Sequence, residues 1–336
     1  MNICLIGNGL ISLTLAKTLI NNKFKVDLYS NNFNFYINQN RTVGISKNNL
    51  DFIKREVINL NKKLLWEINK IEIYNQQNTE EKILKFDQKG KNLFSIIKNY
   101  NLYKLLAKSL VKNKNFKKII IKNKHFYKNI IENKKYDLVI NCDARNEISK
   151  KYFFKNFLKN YKSTAYVTII NHSYINNNNA TQIFTKYGPI AFLPVSNKKT
   201  SVVFSIKNKS IKIDQKLSQK ILEKLISNYN KIYEIKSIEK FETFKLKSKN
   251  LRNYYYKNIL AFGDMLHQIH PLSGQGFNMS LRDIKVLIDL LNDRQNLGLP
   301  IDYSVCSEFE NNTKHLNFLF TTGNDFIYEF FNYDNF

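Results

Sequence analysis

The sequence predicts an α/β protein in which a Rossmann-like nucleotide-binding domain is interrupted by an antiparallel β-sheet domain. Three observations lead to this fold class. The chain opens as a strand, a glycine turn, a helix and a second strand. Its middle third consists of short strands joined by short turns. A glycine-rich loop then follows a further buried strand and precedes a long amphipathic helix.

The first element is an apolar strand at residues 2–6, followed by the turn Gly7-Asn8-Gly9 and a helical pattern over residues 10–21. A second strand spans residues 25–29. Glycines at such a turn allow the pyrophosphate of a dinucleotide to approach the start of the helix. The segment predicts dinucleotide binding, with a plain βαβ unit as the alternative.

Two positions depart from the usual dinucleotide pattern. The third glycine of the motif is replaced by Ser12, and the second strand ends at Ser30 where a ribose-binding acid is expected. Because side chains alternate along a strand, Asp27 points to the other face and is a poor substitute for that acid.

The next hundred residues give weaker signals. Arg41 precedes a short strand and a helical pattern, and strand-like segments occur at residues 70–74 and 83–86. Residues 93–110 read as a turn followed by a helix. The lysine-rich segment 112–135 is interpreted as a solvated hairpin of two short strands.

A buried strand at residues 136–141 has the continuous apolar pattern of a parallel sheet and ends near Asp143 and Ala144. The middle third then alternates between polar and apolar residues, as in an antiparallel sheet. It includes strands at residues 164–171, 181–184, 188–195 and 200–206. A helix over residues 217–226 and a strand over residues 239–246 complete it.

The most informative stretch is residues 259–283. A strand breaks at Gly263-Asp264, and a loop with His267 and His270-Pro271 leads to Gly274-Gln275-Gly276 and a helix that starts near Phe277. Glycines let a flat or phosphorylated ligand approach the backbone, and a helix start offers unpaired N–H groups to it. These residues predict a cofactor loop.

Composition limits the possible partners and the cellular compartment of the protein. The formal charge of +26 raises nucleic acid or an anionic membrane as partners, but lysine and asparagine are spread along the whole chain, which favours a solvated basic surface and no nucleic-acid partner. Three distant cysteines form no metal motif and indicate a reducing compartment. No apolar run reaches the length of a membrane span. We therefore expect a cytoplasmic protein, with peripheral contact at the inner face of the membrane as an open alternative.

The motif of residues 263–283 resembles the flavin motif of the FAD-dependent aromatic hydroxylases, which share the p-hydroxybenzoate hydroxylase-like fold, and is most similar to that of the ubiquinone-biosynthesis hydroxylases. The strand phrase Gly-Pro-Ile-Ala-Phe-Leu-Pro also resembles their substrate domain. The resemblance implies an FAD-binding domain at residues 1–160, with a small insert near 66–95. An antiparallel substrate domain follows at 161–250, and the second part of the FAD domain with a C-terminal helix at 251–336.

The resemblance also implies which residues form the site. Residues expected to bind the cofactor are Gly7, Gly9, Leu10, Ser12, Ser30, Arg41, Asp143, Gly263, Asp264, Pro271, Gly274, Gln275, Gly276, Phe277 and Asn278. His270 and Pro271 are the catalytic candidates. For the two histidines a structural role is favoured, with proton transfer and metal binding as alternatives, and no metal site is expected.

The implied chemistry is that of a flavin. FAD reduced by NAD(P)H would react with O2 to a C4a-hydroperoxide that hydroxylates a phenol ring. The expected substrate is a lipid-linked, polyprenylated phenol of ubiquinone biosynthesis, and a ubiquinone-synthesis complex is an expected partner. The alternatives are a flavin enzyme of the same fold with another aromatic or isoprenoid substrate, and a degenerate flavoprotein that acts as a scaffold.

Overall fold

The computed structural model describes residues 1–31, 41–76, 78–87, 92–122, 125–132, 135–208, 219–272 and 274–331, without the side chains of residues 78–81. Strands and helices are numbered along the chain. Within these ranges the chain forms three β-sheets, and helices cover them.

The first sheet is mostly parallel and holds the largest apolar core. Six described strands form it, in the spatial order β16 (Tyr255–Tyr256), β17 (Ile259–Ala261), β9 (Leu138–Asn141), β1 (Asn2–Ile6), β2 (Lys25–Ser30) and β8 (Phe116–Ile120). All neighbouring pairs are parallel except β16 with β17. The strands consist largely of Ile, Leu and Val because both faces of such a sheet are covered.

Helices pack on this sheet. Helix α1 (Leu10–Asn21) lies against α3 (Asn99–Val111) and α7 (Gly276–Asn296), and α7 packs against α8 (Tyr303–Phe330). The shorter helices near the sheet are α4 (Phe126–Glu132) and α5 (Glu147–Tyr152). Buried leucines of α1, α3 and α7 recur at three- and four-residue spacing and form one core with β1, β2 and β9.

A small antiparallel sheet joins this core to the rest of the molecule. It contains β3 (Thr42–Ser46), β7 (Phe94–Lys98) and β4 (Trp66–Ile68), and β3 leads directly into α2 (Lys47–Phe52). Apolar residues of β4 and β7 pack against Ala180 and Leu193 of the large sheet.

The large sheet contains nine described strands and is antiparallel apart from one pair. Its spatial order is β18 (His267–Gln268), β15 (Glu242–Leu251), β10 (Asn156–His172), β13 (Lys199–Lys207), β12 (Gly188–Ser196), β11 (Asn179–Thr185), β5 (Lys70–Asn75) and β6 (Asn78–Asp87), with β14 (Ile235–Ile238) beside β10. The parallel pair is β11 with β5. One face packs on α6 (Gln219–Tyr229), and the other faces the loop that follows β18. The predicted fold class is therefore confirmed.

Several local predictions were wrong. The segment 112–135 contains β8 and then α4, because the apolar residues of 126–131 recur at helical and not strand spacing. Residues 94–98 form β7 before α3 begins. The strand expected at 239–246 starts later and runs further, as β15, and the short strand β14 before it was not expected. The predicted insert near 66–95 supplies β4 and β7 to the small sheet and β5 and β6 to the large one.

Candidate active site

Three parallel strands bring the predicted cofactor residues to one edge. In the sheet register, Asn141 of β9 lies beside Ile6 of β1 on one side and beside Ala261 of β17 on the other. Gly7, Cys142 and Gly263 follow these strands at their carboxyl ends. This is the edge where α/β sheets bind their ligands.

The turn after β1 requires glycine. Gly7 has a φ of +118°, and a Cβ there would stand 3.3 Å from the Ser12 Oγ and 3.4 Å from the Cys142 Cβ. Ser12 is buried under this turn and hydrogen-bonds the Cys142 thiol. The serine at the third motif position therefore fills the gap between α1 and β9.

Three further glycines border empty space. A Cβ at Gly9, Gly274 or Gly276 would have no neighbouring atom within 4 Å. Gly9 is the N-cap residue of α1, Gly276 opens α7, and neither helix start has a side-chain cap. Uncapped helix starts with open backbone suit the phosphate and ring atoms of a dinucleotide, so these residues fit FAD.

Leu10 and Phe277 are the half-buried first-turn neighbours of those glycines, and Gln275 is the N-cap residue of α7. They lie beside the open backbone of the two helix starts. Their contacts with a cofactor stay a prediction.

Two carboxylates stand at this edge. Burial, followed by the charges of Asp264 and Asp143, raises the pKa of the Cys142 thiol to about 12, so both acids lie near that side chain. Asp264 is exposed, whereas the Asp143 Oδ1 accepts a hydrogen bond from the Arg145 backbone N–H at 3.0 Å. Asp264 is therefore the freer of the two for a hydroxyl-bearing ligand.

The turn that carries Asp264 is fixed against α1. Gly263 has a φ of +64°, and a Cβ there would lie 3.0 Å from the Ile11 Cγ2. Only glycine fits this position without displacing Ile11. The Gly263 turn thus meets the first turn of α1, which brings the two glycine motifs together at this edge.

At the end of β2, which lies beside β1 in the sheet, the carboxylate is already bonded within the protein. The carboxylate of Asp27 accepts a hydrogen bond from the Tyr136 hydroxyl at 2.7 Å, and the Lys135 ammonium lies 3.9 Å away. Tyr136 also contacts the Tyr29 hydroxyl at 2.7 Å. Asp27 is therefore engaged on the α4 side of the sheet, as strand alternation predicted, and β2 ends in the buried Ser30.

The side chain of Arg41 lies against strand β15 of the large sheet. Its guanidinium carbon is 5.6 Å from the centre of the Phe244 ring on β15. Burial raises the pKa of the neighbouring Glu242, and the charge of Arg41 partly offsets this. The side chain contacts the large sheet here, so its role toward the cofactor stays a prediction.

The two loop histidines have different surroundings. The His267 Nε2 lies 2.6 Å from the Asp283 Oδ2, and both side chains are buried. Asp283 also accepts a hydrogen bond from the Asn317 side-chain amide of α8 at 3.4 Å. This pair fastens the start of the loop to α7 and α8, which agrees with the structural role favoured for His267.

His270 lies in an aromatic enclosure. Its ring centre is 4.9 Å from that of Tyr161 and 4.3 Å from that of Tyr328. It is fully buried, and within the described residues neither ring nitrogen has a hydrogen-bond partner. Burial lowers the pKa of His270 to about 3, so the ring is neutral. Pro271 follows it and is half-buried. Their catalytic role stays a prediction.

The side chain of Asn278 joins α7 to the small sheet. Its Oδ1 accepts hydrogen bonds from the Ser46 N–H at 3.0 Å and the Asn49 Nδ2 at 2.9 Å, and its Nδ2 donates to the Gly44 carbonyl at 2.9 Å. Asn278 therefore positions the start of α7 through its side chain. Sequence reasoning missed Asn49 and Asn317 because neither belongs to a local motif.

Neither a metal centre nor a membrane span is found in the described part of the chain. No three His, Cys, Asp or Glu side chains there are grouped as metal ligands. No described helix is both long and apolar enough to cross a bilayer.

Comparison with known sequences and structures places this site in a family. The model of the squalene epoxidase family matches residues 135–335, which is more than half of the chain. The ubiquinone hydroxylase UbiL of Rhodospirillum rubrum is 26% identical over 203 residues, covering 59% of this chain and 47% of that protein. The 3-demethoxyubiquinol 3-hydroxylase of Escherichia coli is 29% identical over 195 residues, covering 57% and 50%. The chain thus matches about half the length of these curated relatives.

Solved structures show the same fold over nearly the whole chain. PqsL of Pseudomonas aeruginosa, described as a probable FAD-dependent monooxygenase, superposes with a TM-score of 0.78 at 12% identity and covers 99% of this chain and 97% of its own. The p-nitrophenol 4-monooxygenase PnpA of Pseudomonas putida has a TM-score of 0.75 at 12% identity, covering 96% and 86%. FAD is the cofactor of this class, and NAD(P)H its electron donor. The chain belongs to the squalene epoxidase family.

Proposed function

We propose that this protein is an FAD-dependent monooxygenase that hydroxylates a polyprenylated phenol in ubiquinone biosynthesis. The observation that carries the proposal is the glycine-lined edge, where Gly9, Gly274 and Gly276 leave open space beside two uncapped helix starts. The names of the relatives support the substrate class, since several are ubiquinone hydroxylases.

The residues of the edge have separate tasks in holding FAD. Gly7 and Gly9 let the pyrophosphate reach the N–H groups of the first turn of α1. The exposed Asp264 accepts hydrogen bonds from hydroxyls of the ribitol chain. The start of α7, from Gln275 onward, directs backbone N–H groups and the positive end of its dipole at the ring and stabilises negative charge there. When bound and reduced by NAD(P)H, FAD supplies the activation of O2.

The substrate ring has a suitable surface on the large sheet. Directly opposed residues form a row across five strands, from Gln182 through Ala191, Val203 and Val167 to Glu242. The central three are small and apolar, and the two ends are polar. The same face carries Ala165 and Leu246, which pack against the cofactor loop at Leu272. A phenol ring on this row lies between the sheet and the loop.

One end of this space is closed by aromatic residues. Phe331, just after α8, stacks on Phe184 of β11 with ring centres 3.9 Å apart. Tyr328 packs beside them against Tyr161 at 4.8 Å. These rings exclude water from one side of the proposed substrate space, which protects a reactive oxygen species from side reactions.

The first test is an absorbance spectrum and an FAD titration of the purified protein. We expect flavin bands in the wild type and loss of FAD binding in Gly9→Val, because the added side chain occupies the open space at α1. Gly323→Val is the matched control, since Gly323 also has no neighbour within 4 Å but lies in α8. A wild type that binds no FAD would refute the proposal.

Substrate identity needs a second assay. We expect NAD(P)H oxidation to be stimulated by a prenylated phenol more than by small phenols or by squalene, with hydroxylated product formed. Stimulation only by another aromatic or isoprenoid compound would point to the alternative enzyme of the same fold.

A scaffold role is the second candidate, and the end of β2 favours it. The strand ends in Ser30, and Asp27 is bonded to Tyr136, so neither serves as the usual ribose acid. In a strain that lacks this protein, Asp264→Ala should fail to restore ubiquinone synthesis if the protein is an enzyme. Full restoration would indicate a scaffold in a ubiquinone-synthesis complex.

For location, we propose a cytoplasmic protein that contacts the inner face of the membrane, where a polyprenylated substrate resides. The formal charge of +26 supports attraction to anionic lipids. Flotation with vesicles of anionic phospholipid should carry the protein upward at low salt and not at high salt. No flotation at any salt concentration would remove this part of the proposal.

A further inference from the structure

Helix α8 carries a continuous apolar stripe on its outward face. The stripe consists of Leu316, Leu319, Phe320, Phe326, Ile327 and Phe330, whose exposed fractions range from 39% to 69%. The inward face of the helix packs on the body of the protein through residues such as Phe309, Asn317 and Tyr328. Exposed apolar patches of this extent on a soluble domain usually mark an interaction surface.

The spacing of the stripe is symmetric about Gly323. Relative to this glycine, Phe320 and Phe326 stand three residues away, Leu319 and Ile327 four, and Leu316 and Phe330 seven. These are the intervals of helix–helix packing. A Cβ at Gly323 would have no neighbour within 4 Å, so the centre of the stripe is open to close approach of another helix.

The charges of helix α8 itself argue against a lipid surface as the occupant of the stripe. The chain has 53 lysines and arginines, yet none occurs after Lys314. A helix that binds an anionic membrane normally has cations beside its apolar face. The acids that flank the stripe are Asp325 and Glu329, which already bond Tyr161 and Lys159 of the same chain.

We propose that the stripe binds the same stripe of a second copy, with the two α8 helices antiparallel about a two-fold axis at Gly323. Antiparallel pairing places Leu316 opposite Phe330, Leu319 opposite Ile327 and Phe320 opposite Phe326 of the partner, so every apolar side chain meets another. A two-fold interface must be self-complementary in this way.

The area of the stripe is sufficient for a dimer. Its exposed side chains offer roughly 600 Å² per copy, or about 1,200 Å² for the pair, which is at the lower end of the range for specific interfaces. Such a dimer leaves the glycine-lined edge free. The dimer proposal is independent of the proposed function, because the interface contains none of the predicted cofactor residues.

The first experiment measures the mass of the full chain by sedimentation equilibrium over a range of concentrations. We expect a dimer for the wild type and a monomer for Leu319→Lys and for Phe326→Lys, with a dissociation constant raised at least tenfold. Val111→Lys and Leu297→Lys are matched controls, since both residues are 71% exposed but lie outside the stripe. A monomeric wild type, or variants that remain dimeric, would overturn the proposal.

A cross-linking experiment tests the position of the axis. In Gly323→Cys the two introduced thiols face each other across the axis, so mild oxidation should give a covalent dimer within minutes. Leu297→Cys is the control for random collision, and the native cysteines are buried or half-buried. Equal cross-linking of the two variants would contradict the antiparallel arrangement. Vesicle binding that Phe326→Lys abolishes, in a monomeric wild type, would assign the stripe to lipid and also overturn it.

Discussion

The proposed cofactor edge has two ends that are built differently. The ring end consists of residues 263–278, and the adenosine end consists of the turn after β1 and the end of β2. At the ring end, buried side-chain hydrogen bonds hold the loop and the start of α7, through His267 with Asp283 and through Asn278 with β3. At the proposed adenosine end, β1 leads into the backbone turn at Gly7, β2 ends in the buried Ser30, and Asp27 is bonded to Tyr136.

The buried side-chain hydrogen bonds are therefore concentrated at one end of the edge. Buried polar pairs are costly to form, and breaking one from a single side destabilises the protein strongly. They occur at the end that we propose holds the flavin ring, where position decides the chemistry. We propose that the other end contributes binding alone and tolerates a missing contact. The predictions below test this contrast.

The largest effect is expected at the buried pair of the ring end. Asp283→Leu leaves the His267 ring without its partner and removes one of the two acceptors of the Asn317 amide, and breaking a buried pair from one side costs about 3–5 kcal/mol. The free energy of unfolding, measured in urea, should fall by that amount. Asp289→Leu, an exposed position on the same helix, is the control. A loss below about 1 kcal/mol would show that the pair does not support the loop.

A slightly smaller loss is expected for Asn278→Leu. This change removes the partner of the Ser46 N–H, the Gly44 carbonyl and the Asn49 amide, and buried unsatisfied groups cost about 1–3 kcal/mol each before relaxation. We expect about 2–4 kcal/mol in urea unfolding. Gln295→Leu, exposed near the end of α7, should change stability by less than about 0.5 kcal/mol. Equal effects of the two substitutions would remove Asn278 from the supporting network.

The neutral state of His270 predicts a pH dependence. Its pKa is about 3 in the folded protein and about 6.5 in an unfolded chain, so only the unfolded state binds the proton between those values. Stability should therefore fall as the pH drops below about 6.5, by at most about 1.4 kcal/mol per pH unit. The charged and titratable groups around it, Tyr161, Tyr328 and the Asp325 bonded to Tyr161, are unchanged in the variant below.

His270→Leu should lack this component, while the contributions of the other histidines cancel in the comparison. Unfolding in urea should be measured at pH 5–6.5, because the contribution of Glu72 is lost only as the pH falls from about 4.5, its pKa in the unfolded chain, to about 2, its pKa in the folded protein. Parallel stability curves for wild type and variant would mean that His270 is protonated in the folded state.

The smallest effect concerns the adenosine end. Ser30→Glu supplies the acid that this strand end lacks, and a charge-assisted hydrogen bond to a ribose hydroxyl would tighten FAD binding about tenfold. Asp27→Asn should leave the FAD dissociation constant unchanged, because Asp27 bonds Tyr136 on the other side of the sheet. Weaker binding after Ser30→Glu, in a protein of normal stability, would mean that the ribose lies elsewhere.

The sequence predicted the parts of this molecule that depend on local patterns. The glycine turns at Gly7 and Gly263 have the positive φ values that only glycine adopts easily, and alternation correctly assigned Asp27 to the other face. The antiparallel middle third followed from its short, closely spaced strands. These features are set by steric limits and by residue spacing, which a single chain displays directly.

The features that could not be predicted from the sequence depend on contacts between residues that are far apart in the chain. Asn278 was expected to bind the cofactor, which stays a prediction, and nothing in the sequence indicated that its side chain bonds Gly44, Ser46 and Asn49, more than 200 residues away in the chain. The enclosure of His270 by Tyr161 and Tyr328 likewise joins three separate elements. No local pattern marks such partners, because folding and not spacing brings them together.

The bonds of Asn278 make two segments move as one. The start of α7 and the strand β3, which begins directly after Arg41, are fastened by the same amide, so a displacement of one must be transmitted to the other. Hydrogen–deuterium exchange can measure this coupling. Binding of FAD at the ring end should slow amide exchange at Ser46, although Ser46 belongs to the small antiparallel sheet. Cofactor binding would then restrict the motion of the small sheet, which lies beside the surface proposed to hold the substrate.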